Sequence, residues 1–76
     1  MYNLKNLGAN IRKARLHRNY SQDYLAMKLG LSQNGYSKIE LGYTNVSLHQ
    51  FLLICHALEM DIHDLLGENR VPKIAV

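Results

Sequence analysis

Four polar side chains, Gln33, Asn34, Ser37 and Lys38, place two amides, a hydroxyl and an ammonium close together in the chain. Over residues 33–41 a helix puts Tyr36 and Ile39, three apart, on one face. The four polar groups and Leu41 fall on the other. The chemistry open to such a stripe is recognition rather than bond making. An amide donates to and accepts from the edge of adenine, and a lysine donates to guanine. A polar outward face is also ordinary for an amphipathic surface helix, so the rest of the chain has to support that reading.

Other chemistries find little footing. His49 and His56 are seven apart, His63 follows on the next predicted helix, and no Cys-x-x-Cys or His-x-x-x-His spacing occurs. No metal and no cofactor is expected. Cys55 is the single cysteine, so no internal disulfide can form, and its apolar neighbours suit a small core residue better than a nucleophile. No serine, histidine and acid fall into a catalytic motif, and an enzyme is not expected. Of the five tyrosines, Tyr2, Tyr20, Tyr24 and Tyr36 are explained by packing. Tyr43 follows Gly42 in a loop, where its hydroxyl can reach a phosphate; Thr44 and Asn45 can donate to the same backbone.

Charge is unevenly spread. The 76 residues carry a net +3, with a pI near 9.2. Residues 1–43 hold seven basic side chains against two acidic ones, a net of +5; residues 44–76 hold two against four, a net of −2. A basic half that contains the polar helix fits a polyanion on that side. One domain is expected from the length, over residues 1–67, with 68–76 as a tail. Its hydrophobic content of 47% argues against disorder. A chain of this size buries only about 60% of its unfolded surface and gains from association. The N-terminus lacks a signal-peptide pattern, and residues 51–55, the longest greasy run, are too few to span a bilayer. A cytoplasmic protein with no membrane association is expected.

The elements that must hold the polar stripe can be read from their ends. Ser21 and Ser32 are each placed to cap a helix, and Gly30 stands where the first of these must stop. Tyr20 with Leu25, and Leu31 with Tyr36, form hydrophobic staples where these two helices begin. Two short helices joined by so tight a glycine turn must cross steeply, as in a helix-turn-helix unit. Ahead of them a helix over residues 4–18 carries Leu4, Leu7, Ile11 and Ala14 on one stripe, with Asn3 as cap, a Tyr2–Leu7 staple and Asn19 as left-handed terminator. Arg15 lies at the edge of that stripe, where a guanidinium wants a carboxylate. Glu40, at the inner edge of the polar helix, is the available partner, and both read as a structural ion pair. Ser47 and Gln50 form a capping box for a fourth helix, with Leu48, Phe51, Leu52, Cys55 and Leu58 as its inward stripe. Met60 and Asp61 start a short fifth helix that ends at Gly67.

Gln22, Ala26, Gly30, Tyr36, Ile39 and Glu40, with Ser37-Lys38-Ile39-Glu40 followed by Leu41-Gly42 and then Ser47-Leu48, resemble the phage repressor and Cro-like helix-turn-helix family over roughly residues 7–66. The resemblance implies an all-α, five-helix domain that binds double-stranded DNA as a small transcriptional regulator, a repressor by preference. It implies base reading by Gln33, Asn34, Ser37 and Lys38. Gln22 at the start of the second helix would hold a phosphate or buttress Gln33, with Tyr43, Thr44 and Asn45 as further phosphate contacts. It also implies the Arg15–Glu40 bridge. The chain departs from the usual pattern at Tyr36, where a smaller aliphatic is common, at exposed Leu41, and at Tyr43–Asn45, where lysine or arginine is common.

A homodimer is expected through apolar surface left over on the fourth helix: Leu53, off the inward stripe, with His56, Met60 and Ile74 extending the patch. The tail at 68–76 reads as a frayed end or as an arm docked on a second subunit. Two other functions use the same fold, a DNA-binding antitoxin with a toxin partner and a protein-interaction module.

Overall fold

The computed structural model describes residues 4–66, which form five helices and no strand: α1 (Leu4–His17), α2 (Gln22–Leu29), α3 (Gln33–Glu40), α4 (Leu48–Leu58) and α5 (Ile62–Leu66). Asn3, the Tyr2 staple, Gly67, Ile74 and the tail lie outside the described residues. No described helix is long and apolar enough to cross a membrane.

The starts of α2, α3 and α4 are set by serine. Ser21 Oγ accepts from Tyr24 N at 3.0 Å, Ser32 Oγ from Gly35 N at 3.0 Å and Ser47 Oγ from Gln50 N at 3.1 Å. Gln50 Oε1 accepts in return from Ser47 N, which closes the capping box. The stops share one device. A left-handed residue at Asn19, Gly30, Gly42 or Glu59 lets the following N–H return to a carbonyl five residues back: Tyr20 N to Arg15, Leu31 N to Ala26, Tyr43 N to Lys38 and Met60 N to Cys55. These abrupt ends keep the links short, with only three residues between α2 and α3.

α3 packs on α2 and α1, α4 packs on α2, α1 and α5, and α5 closes against α1. Tyr36, Ile11, Leu25, Ile54, Leu58 and Leu65 are the large side chains fully buried where these helices meet. α1 meets α3 almost backbone to backbone. A Cβ on Gly8 would lie 2.5 Å from the Ile39 carbonyl oxygen and 2.6 Å from that of Glu40. That approach brings Arg15, two turns along α1, to the end of α3.

α4 is rotated from the stripe expected of it. Ile54, Cys55 and Leu58 are buried, whereas Leu48 is 72% and Leu52 48% exposed. Leu53, expected on the outside, is half-buried against the core, as is Met60; His56 is exposed. The reason is that residues 51–55 are all apolar and carry no period, so the neighbours and not the pattern choose the inward face. α5 starts at Ile62 rather than at Met60. The Asp61 carboxylate accepts from His63 N at 3.4 Å, and its carbonyl from Leu65 N at 3.1 Å.

The ion pair between Arg15 and Glu40 is buried, with 8% and 2% of the side chains exposed. The guanidinium grips the carboxylate twice, Nε to Oε2 at 2.6 Å and Nη2 to Oε1 at 3.2 Å, and Nη1 donates to the Tyr20 carbonyl at 2.8 Å. Burial alone would raise the Glu40 pKa. The hydrogen bonds from Arg15, Tyr36 and Gln22 outweigh it and hold the carboxyl below its ordinary range. Burial first, and then the bond to Glu40, push the Tyr36 phenol upward, so it stays protonated as a donor.

Breaking the pair by Arg15→Met or Glu40→Gln should destabilise the fold by about 3–5 kcal/mol, because the remaining charge or its donors stay buried. In a double-mutant cycle on denaturant midpoints, coupling indistinguishable from zero would refute a structural role for the pair. The pair also carries a pH dependence. A lowered carboxylate pKa contributes stability above its unfolded value and loses it as pH falls through the folded one. The gap between wild type and Glu40→Gln should therefore close as pH drops from about 4.5. A gap that stays constant down to acid unfolding would contradict this.

Candidate nucleic-acid interface

α3 carries Tyr36, Ile39 and Glu40 inward, all buried. Gln33, Asn34 and Lys38 are exposed and Ser37 is half-exposed on the opposite face. Leu41 caps the helix in a right-handed conformation, which keeps it in register with this stripe, and it is 59% exposed. Gln22, from the first turn of α2, joins Gln33, Asn34 and Ser37 around one open depression of about 390 Å³. Lys38 lies on the same helix outside that depression. Tyr43, Thr44 and Asn45 are exposed in the loop after α3, Tyr43 by 77%.

A run of hydrogen bonds joins this surface to the buried ion pair. Glu40 takes two bonds from Arg15, one from the Tyr36 hydroxyl and one from Gln22 Nε2 at 3.1 Å. An ionised carboxylate has about four acceptor positions and no donor, so it is fully occupied. Its lack of a proton fixes the direction of everything outward of it. Gln22 must turn its NH2 to Glu40, which turns its Oε1 to Gln33. Gln33 then donates from Nε2 to that oxygen, at 3.4 Å. One N–H and the Oε1 of Gln33 remain for an external partner, side by side. That pair of groups matches N7 and N6 of adenine in the major groove.

The sequence alone placed Gln22 and Gln33 on neighbouring helices, and the family resemblance suggested their contact. It did not suggest that Gln22 also bonds Glu40, nor that the Tyr36 hydroxyl does. Gln22 and Glu40 are 18 residues apart, and no local pattern links them; only the fold brings them together. Cys55 is buried, and burial followed by the nearby Asp61 charge raises its thiol pKa, which disfavours the nucleophilic thiolate. Among the described residues no three histidines, cysteines or acids are grouped to hold a metal ion.

A family model described as helix-turn-helix matches residues 11–65. Among solved structures, the chain is similar to the restriction-modification controller protein C.AhdI from Aeromonas hydrophila, at 32% identity over 82% of this chain and 94% of that one, with a TM-score of 0.75. It is similar to the clp gene regulator ClgR from C. glutamicum, at 31% identity over 84% and 83%, with a TM-score of 0.78. A hypothetical transcription factor, NHTF from Neisseria, shows 29% identity over 84% and 75%, with a TM-score of 0.75. No curated protein gives a significant match. In the structure α2 and α3 pack together across a three-residue link, and the chain belongs to the phage repressor and Cro-like helix-turn-helix family of DNA-binding regulators.

Proposed function

We propose that this protein is a small transcriptional regulator that lays α3 in the major groove of double-stranded DNA and represses by occupying its operator. The observation that carries this is the directed run from Glu40 through Gln22 to Gln33, which presents one donor and one acceptor outward in fixed order. A preorganised amide loses less freedom on binding and discriminates better between bases. Gln33 reads adenine. Lys38 donates to guanine, and Asn34 and Ser37 complete the base contacts. Gln22 is mainly a positioning residue whose second N–H serves a phosphate. Tyr43, Thr44 and Asn45 hold the sugar–phosphate backbone beside the helix.

The protein works as a homodimer in this reading. Leu48 and Leu52, four apart on α4 and exposed, form the apolar stripe that a second copy would cover. This replaces a patch centred on Leu53, which is engaged with its own core. A twofold dimer presents two copies of α3 to successive major grooves, so its operator is a near-palindrome with half-site centres about 10–10.5 base pairs apart.

Gln33→Ala should lose about 1–3 kcal/mol on the matched site and much less on random duplex. Equal losses on both would mean that Gln33 touches only phosphate. Gln22→Leu should lower the melting temperature, because Glu40 loses one of its donors, but keep the helix signal at the assay temperature. There it should reduce the preference for adenine at the same base pair, since the Gln33 amide is then free to turn over. An unchanged preference would remove Gln22 from the reading. For the dimer, Leu52→Lys should weaken self-association in sedimentation while the far-ultraviolet helix signal is kept. A wild type that stays monomeric at high concentration, with and without DNA, rules the dimer out.

A further inference from the structure

Gly35 is unlike the other glycines of the fold. Gly30 and Gly42 hold left-handed backbone, with φ of 70° and 81°. Gly8 lies where a Cβ would strike two carbonyl oxygens of α3. Gly35 does neither of these things. It sits in the first turn of α3 with helical backbone, and a Cβ built on it meets only the Ser32 hydroxyl oxygen, at 3.2 Å. The protein itself shows that this contact is tolerable. Tyr24 and Gln50 occupy the same position behind their own serine caps, and the cap bonds are as short, 3.0 and 3.1 Å against 3.0 Å at Gly35. A helical glycine lowers stability relative to alanine because the unfolded chain has more freedom to lose. A glutamine at 35, as at Gln50, would in addition complete a capping box. The fold would gain from a side chain here and has none.

We propose that Gly35 is the point at which α3 takes the sugar–phosphate wall of the major groove directly against its backbone. The proposal rests on the DNA-binding function above and names a contact it did not include. Gly35 stands one turn before both Lys38 and Ile39, hence on the border between the exposed stripe and the buried face. It is thus off the line of Gln33, Ser37 and Leu41 that points to the groove floor, and faces a wall. The N-terminal turn is the part of such a helix that contacts the base edges. A side chain at 35 would hold the wall off by a carbon's width or more and lift Gln33 and Asn34 from the base edges. Glycine is the residue that permits backbone and ligand to approach this closely.

The test is a graded pair, Gly35→Ala and Gly35→Gln, measured for thermal stability and for binding to two duplexes. One duplex is of random sequence, and the other is a matched site selected from a random pool. Both variants should melt at or above the wild-type temperature. Affinity should fall about tenfold or more for alanine and further for glutamine on the random duplex, where only the sequence-independent wall contact is lost. It should fall by more on the matched duplex, where Gln33 and Asn34 are lifted from the base edges as well. Three results overturn the proposal. Lower melting temperatures would mean that the fold itself needs the glycine. Unchanged affinity for both variants would mean that nothing approaches it. A loss confined to the matched duplex would put a base edge, not the wall, at this position. A wild type with no salt-dependent affinity for either duplex would instead remove the DNA-binding function and the contact with it.

Discussion

The carboxylate of Glu40 is where three helices meet through polar groups. It receives Arg15 from α1, Gln22 from α2 and Tyr36 from its own helix, α3. Each donor alone would be a modest contribution, and a charge buried with any one of them missing would be costly. Together they fill every acceptor position of the group. The result is a joint that fixes α1 and α2 against the inner end of α3, in a domain otherwise held by a small apolar core. The same joint sets the direction of the amides that lead to the surface. In the proposed function, fold and recognition therefore share one charge, and the close approach at Gly8 is what lets α1 deliver Arg15 to it.

Around that joint the chain turns by one repeated solution. Four helices end on a left-handed residue, and each time the next N–H reaches back five residues. Glycine takes two of the four places at little cost, and asparagine tolerates the third. Glu59 is the costly one, since a non-glycine residue at φ 55° is strained. It is held by the Met60 to Cys55 bond and by Arg18, whose guanidinium reaches the Glu59 carbonyl at 3.4 Å and its carboxylate at 3.7 Å. The exposed Arg18–Glu59 pair is weak, so most of the restraint comes from the packed ends of α4 and α5 on either side.

What could be read before the structure was what local chemistry decides. Ser21, Ser32 and Ser47 cap helices because their oxygens meet an N–H three residues on, a relation internal to the segment. Asn19 and Gly30 end helices for an equally local reason. Arg15 and Glu40 were legible as a pair because two opposite charges at inward edges have few ways to be satisfied. The face of α4 was not legible. Five successive apolar residues fit any rotation, and Ile54 turns inward only because α1, α2 and α5 surround that side. Gly8 and the inward bond of Gln22 were silent for the same reason, since they depend on chain that is remote in sequence. Glu59 gave no sign because nothing in a glutamate predicts a left-handed backbone.

This arrangement separates what can vary from what cannot. Glu40, Arg15, Tyr36 and Gly8 lie inside, and a change at any of them alters the joint and the helix positions together. Gln33, Asn34 and Lys38 lie outside it and touch the fold lightly, Gln33 through one long hydrogen bond. In the proposed function, substitutions there would change the bases that are read while leaving the position of α3 intact, because that position is held by α1 and α2 through Glu40. Gln22 is the one residue that belongs to both sets, bonded inward to the carboxylate and outward to the exposed amide of Gln33. A carboxylate in the core thereby controls an amide at the surface through a single intermediate side chain. The control is one of sign: an acceptor inside demands an acceptor facing Gln33, and so leaves a donor and an acceptor of Gln33, in that order, facing outward.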